Sequence, residues 1–173
     1  MYVTDHRDDL LDAVPNLRRY AFCIVGRQDE GDALVERVLH NILSDGVQLT
    51  GSSCSVCLFK AFNTDRSVNT ACRNAAKRNS WTVEDGLHGE ILSLPVRLRQ
   101  ILILVRTIGF SREATAEIVA CPTADIAVCL NGAVDRMLQN ARPHQARRRQ
   151  RQEAVTREPP QNWPEGRVPR YGT

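Results

Sequence analysis

Apolar residues in this chain recur at three- and four-residue steps in five separate stretches, and nowhere is strict alternation sustained. That spacing narrows the fold more than any other feature. It gathers apolar side chains on one side of a helix, whereas a half-buried strand needs a period of two. Leu10, Val14, Leu17, Ala21 and Ile24 mark a first helix, closed by Gly26, with Pro15 predicting a break or kink near Val14. A second helix is expected from about Asp29 to Leu43, presenting Leu34, Val35, Val38, Leu39 and Ile42; its acidic first turn suits a helix N-terminus. "SDGVQLTGSS" reads as a loop, and "VCLFKAF" as a short helix turning Leu58, Phe59 and Phe62 inwards. Asn63 to Ser80 is weakly patterned and fits either helix or linker.

Ile91, Leu92 and Leu94 end a short helix before Pro95; Leu98, Ile101, Leu102, Val105 and Ile108 form a strongly apolar helix that stops at Gly109. The expected fold is all-α. It comprises two small helical bundles, 5–80 and 91–140, with a linker over 81–90 where "SWTVEDGLHGE" places two glycines.

Composition matters mainly through where the charge lies. Residues 142–173 carry eight Arg and three Glu, a surplus of +5, while residues 1–141 hold 15 Lys+Arg against 17 Asp+Glu, a net of −2. The formal charge of +3 therefore sits in the tail. Five of the eight prolines fall after Asn140 and no apolar period survives there, so 141–173 is expected to be a disordered basic tail. Its "RRRQR" run suits phosphates, an acidic partner or plain solubility. No apolar run approaches the roughly 20 residues of a membrane span. The acidic start "MYVTDHRDDLL" is unlike a signal peptide, so a cytoplasmic protein without membrane contact is expected.

Six cysteines without a leader predict reduced thiols. Cys54, Cys57, Cys72 and His88 contain the ligand types of a zinc site, but Cys57 and Cys72 also fall on apolar helical positions, where cysteine acts as a small hydrophobe. The four histidines are isolated, and no Gly-rich phosphate loop or nucleophile motif is present. No catalytic, cofactor or metal site, and no small-molecule substrate, is expected.

"FSREATAEIVACPTADIAVCLNGAVDRML" has helix-turn-helix spacing. Ser111 is a good N-cap for a helix over 112–119, "ACPT" makes the turn, and Thr123 caps a last helix whose inner seam is Ile126, Leu130, Val134 and Met137. The outer face would carry Thr123, Ala124, Asp125, Val128, Asn131, Gly132 and Asp135, with Arg136 as its one cation. DNA readers favour Arg, Lys, Asn and Gln there, because phosphates and base edges ask for donors and positive charge. This face is poorly equipped for that work.

Two blocks carry a resemblance. "LLDAVPNLRRYAFCIVGRQDEGDALVERVLHNIL" resembles the opening of region 2 of sigma factors of the extracytoplasmic-function type. "LSLPVRLRQILILVRTIGFSREATAEIVACPTADIAVCLNGAVDRML" is similar to their region 4 helix-turn-helix. Within that superfamily, "GDALVERVL" and "CLFKAF" look like the sigma-like domain of the PhyR-type general-stress response regulators. That resemblance implies a transcription regulator that imitates a sigma factor and binds a NepR-like anti-sigma factor. It implies a partner surface at Asp32, Val35, Glu36 and Leu39, where sigma factors typically carry an acidic-Leu-Val-Gln run and this chain has an acid in place of the Gln. The alternative is a working sigma factor binding polymerase core and promoter DNA, with contacts from Lys60, Arg66, Arg73, Lys77 and Arg78 and from the basic tail. PhyR-type regulators continue into a receiver domain where this sequence has a short tail. The sequence favours the mimic, on the bareness of the last helix.

Overall fold

A computed structural model describes residues 5–44, 53–77 and 86–156, and every regular element among them is helical. The all-α expectation holds. Four helices come from the first half: α1 (Asp5–Val25), α2 (Gln28–Ser44), α3 (Cys54–Thr64) and α4 (Arg66–Lys77). Four come from the second: α5 (Gly86–Ser93), α6 (Val96–Ile103), α7 (Arg112–Ile118) and α8 (Thr123–Thr156). The expected loop at "SDGVQLTGSS" lies largely outside the described residues.

The helix ends follow local chemistry. The Ser53 hydroxyl accepts from Val56 N at 3.3 Å and starts α3, and the Asp65 carboxylate accepts from Ser67 N at 2.7 Å and starts α4. The ambiguous stretch after Asn63 is therefore helical from Arg66 to Lys77, and residues 78–80 lie outside the described residues. Pro15, expected to break or kink α1, lies inside a continuous helix. A proline costs about 3 kcal/mol there, but Ala13, Leu17, Tyr20, Ala21 and Ile24 are all buried on the opposite side and hold both turns together. α1 and α2 meet at Gly31, where an added Cβ would stand 3.1 Å from Phe22 N. A side chain there would push the two backbones apart by a few tenths of an ångström.

α6 does not end as an ordinary helix. Leu104–Ile108 widens into a single π turn, closed by Gly109 N donating to Leu104 O at 3.0 Å, and Gly109 leaves it at φ 91. The left-handed value is one that glycine adopts without steric cost.

The two halves share one hydrophobic core. Leu17, Ile24, Leu58, Phe59 and Phe62 from the first half are continuous with Leu94, Ile101, Ile103, Leu104 and Ile118 from the second. The expected linker is helical from Gly86 onwards, because His88 stacks on Phe22 of α1 with ring centroids 4.7 Å apart. Phe110 closes edge-on against Phe59 at 4.9 Å.

Buried polar groups stitch the same seam. Asn63 Oδ1 accepts from Tyr20 Oη at 2.7 Å and from Gln100 Nε2 at 2.8 Å, while Asn63 Nδ2 donates to Phe59 O at 2.8 Å. Arg99 is completely buried. Its Nη1 donates to Ile24 O at 2.5 Å, and its Nη2 to Leu92 O at 2.6 Å and Leu94 O at 3.0 Å. Ile24 and Leu92 stand in the last turns of α1 and α5, whose free carbonyls form the negative ends of those helices. Burial pulls the guanidinium below its ordinary pKa, yet an arginine keeps its proton in proteins. Two helix ends thus hold one buried cation.

α8 also departs from expectation. The tail expected to be disordered from 141 remains helical to Thr156. Four of its five prolines stand at 159 or later, and the stretch before them is rich in Ala, Arg and Gln, which are good helix formers. Residues 157–173 lie outside the described residues.

Candidate partner-binding surfaces

α7 and the core part of α8 cross at 94°. Such crossing belongs to helix-turn-helix pairs, which meet at about 90–120° across a short turn. Ser111 caps α7 by accepting from Ala114 N at 3.1 Å, as the sequence suggests. The turn closes with Cys121 N donating to Ala116 O at 3.0 Å and places Ala120 at φ 52. α8 docks through Ile126, Leu130 and Ala133, with Met137 half-buried. Val134, expected in this seam, is exposed, and Ala133 takes its place against the core.

The outer face lies open as the sequence places it. Thr123, Ala124, Asp125, Val128, Asn131, Asp135 and Arg136 are exposed, and Gly132 is half-buried. Val128 is 71% exposed at its centre and Leu138 59% further along, so the face mixes apolar side chains with two aspartates and a single cation.

A second surface runs between α1 and α2. Val14, Arg18, Asp32, Val35, Glu36, Leu39, His40 and Leu43 line a shallow groove of about 410 Å³. All four residues that the resemblance points to, Asp32, Val35, Glu36 and Leu39, come together in it. Val35 is its buried floor, and Leu43, 77% exposed, forms an apolar lip. Arg18 grips Asp32 with two bonds, Nε to Oδ1 at 2.8 Å and Nη2 to Oδ2 at 2.7 Å, and Gln28 Nε2 adds a third at 2.8 Å. The Arg18 bond, with help from Gln28, holds the Asp32 carboxyl down at about 2. Arg18 was missed in the sequence. Its place four residues after Val14, on the same side of α1, is the signal that could have found it.

The candidate cations divide. Arg66, Arg73 and Lys77 are exposed and share one face of α4 by register. Arg66 joins Arg37, Ser67, Thr70 and Asn74 along a groove of about 520 Å³ between α2 and α4. Lys60 stands apart at the seam, 3.9 Å from Glu117 of α7. Arg78 lies outside the described residues. Cys54 and Cys72 are buried, and burial pushes the Cys72 thiol up to about 11. Cys54, Cys57, Cys72 and His88 form no metal-holding group among the described residues. No single helix among them is long and apolar enough to cross a membrane.

Helical halves in the order region 2 then region 4, closed by a helix-turn-helix, define a sigma-factor-like protein. The family described as the sigma2 domain of PhyR matches residues 10–63. An RNA polymerase sigma factor of the extracytoplasmic-function type, EcfG of Rhodopseudomonas palustris (strain TIE-1), is 34% identical over 152 residues, covering 77% of this chain and 83% of the relative. The chain belongs to the extracytoplasmic-function sigma factor family. Solved structures share its fold, two complexes among them. The sigma factor RpoE from Bartonella quintana, in complex with the anti-sigma factor NepR, superposes with a TM-score of 0.62 at 22% identity, over 79% of this chain and 96% of RpoE. PhyR from the same organism, also complexed with NepR, gives 0.60 at 21% identity over 78% of this chain. The chain spans about half the length of that PhyR, 49% of it.

Proposed function

We propose that this chain is a cytoplasmic sigma mimic in stress-responsive transcription, which binds a NepR-like anti-sigma factor and does not itself read promoters. The observation that carries this reading is the outer face of α8, where exposed Val128 stands between Asp125 and Asp135 and Arg136 is the one cation. A face meant for phosphates loses affinity with every cation it lacks, because counterion release supplies much of DNA binding. An apolar face instead suits an amphipathic partner helix. The α1–α2 groove, with Val35 and Leu39 inside and the Leu43 lip, offers the same partner a second apolar seat. Two solved proteins of the same fold, RpoE and PhyR of Bartonella quintana, are bound to NepR, which supports the choice of partner.

A second reading rests on a specific observation: the relative at 34% identity is an RNA polymerase sigma factor. In that case the cationic face of α4 would meet promoter DNA and the groove would meet polymerase core. One experiment separates the two. The full chain is titrated with the anti-sigma factor of its own organism, and separately supplied with polymerase core and promoter DNA. Tight anti-sigma binding that Val128→Asp and Leu39→Asp weaken, without transcription, supports the mimic. Transcription from a defined promoter overturns it.

A further inference from the structure

The strongest charge in the molecule lies outside both surfaces. α8 packs on the core at Ile126, Leu130 and Ala133, is exposed at Leu138 and Gln139, and its helical backbone runs on through residues 140–156, a further 17. This segment, "NARPHQARRRQRQEAVT", holds five arginines against one glutamate, whereas residues 1–141 are net acidic. Arg142, Arg147, Arg148, Arg149 and Arg151 occupy register positions spread around the whole helix, since each residue advances about 100°. Together they span about 14 Å of axis at 1.5 Å per residue. A helix without an apolar stripe cannot pack on a core. Mutual repulsion of its cations and the missing N–H of Pro143 both weaken it in isolation. Such a segment gains most from a polyanion that surrounds it.

We propose that residues 140–156 are a duplex-DNA-binding arm, which seats in the major groove by phosphate contacts and without sequence preference. An acidic protein surface would neutralise one side of the helix and leave the cations on the other side unpaired. The major groove, about 12 Å wide, admits a helix and lines it with phosphates on both walls. Basic helices that continue from a folded part enter DNA in this way. The arm also continues the last helix of a helix-turn-helix, the element that such motifs bring to the groove. The inference stands apart from the anti-sigma reading, because it uses none of the residues assigned to that partner.

The test uses the full chain and a labelled 30-base-pair duplex of arbitrary sequence, with anisotropy read from about 50 to 200 mM salt. With four to five phosphate contacts, log K should fall against log salt with a slope of about −4. The combined variant Arg147→Gln, Arg148→Gln, Arg149→Gln and Arg151→Gln should flatten that slope by about three units and weaken binding at least about tenfold at 0.1 M salt. Helicity at 222 nm should rise when duplex is added to the wild type and not to the variant. Equal binding by both proteins, or equal binding of polyglutamate and duplex, overturns the arm. Sequence-selective binding lost with Asn131→Ala and Arg136→Ala overturns it too, by placing the contact on the core part of α8. Anti-sigma binding measured on the same two proteins should be unchanged, so failure of the arm and failure of the mimic give different results.

Discussion

The seam between the halves and the outer face of α8 treat charge in opposite ways. At the seam, a guanidinium is fully buried and held by the carbonyls of Ile24, Leu92 and Leu94. On the outer face of α8 between Thr123 and Arg136, where a DNA reader keeps its cations in the open, Arg136 is the one cation. The residues that hold the fold are therefore distinct from those that make up the open face. The seam cannot lose its polar groups without exposing unpaired carbonyls, whereas the face can change its chemistry while Ile126, Leu130 and Ala133 keep the helix docked.

Substitutions that break this contrast should act on stability at the seam and on binding at the face. Arg99→Ala carries the largest expected effect. Three carbonyls lose their donor and a cavity opens, for a loss of about 3–5 kcal/mol in urea denaturation. A loss below about 1 kcal/mol would mean that the seam does not depend on the buried cation. Gly31→Ala comes next, at about 1–3 kcal/mol, because α1 and α2 must separate to admit the methyl group. The same denaturation series reads it, and an unchanged midpoint would show that the helices shift freely. Tyr20→Phe should cost about 1 kcal/mol, since Asn63 Oδ1 keeps Gln100 as a donor.

Val128→Ser should leave stability within about 0.5 kcal/mol while weakening anti-sigma binding measured by calorimetry. Equal loss in both would erase the distinction between face and seam. The smallest effect belongs to the Arg18–Asp32 pair. A carboxyl whose folded pKa is depressed stabilises the fold above its unfolded value of about 3.9 and loses that contribution as pH falls through about 2. An NMR titration should find the Asp32 midpoint near 2. Arg18→Ala should move it part of the way towards the ordinary value, with Gln28 still bonded.

The sequence by itself determined the helices, because a 3.6-residue apolar period leaves few alternatives, and it located the helix-turn-helix through Ser111 and the "ACPT" turn. It also placed the open face of α8, since exposed positions follow once the apolar seam is assigned, with Val134 as the single misplacement along it. It divided the charge between body and tail, but not the structure of the tail, where prolines beyond the helix obscured an Ala-, Arg- and Gln-rich segment before them. Only the tertiary structure decided that the halves share a core. Periodicity says which side of a helix is apolar and nothing about which two sides meet. Arg99 and Gln100 read as solvent-facing residues in a chain pattern, yet their partners stand 75 and 37 residues away, on helices that the pattern assigned to another bundle. A buried cation is tolerable only where carbonyls converge on it, and that convergence exists only once α1, α5 and α6 have packed.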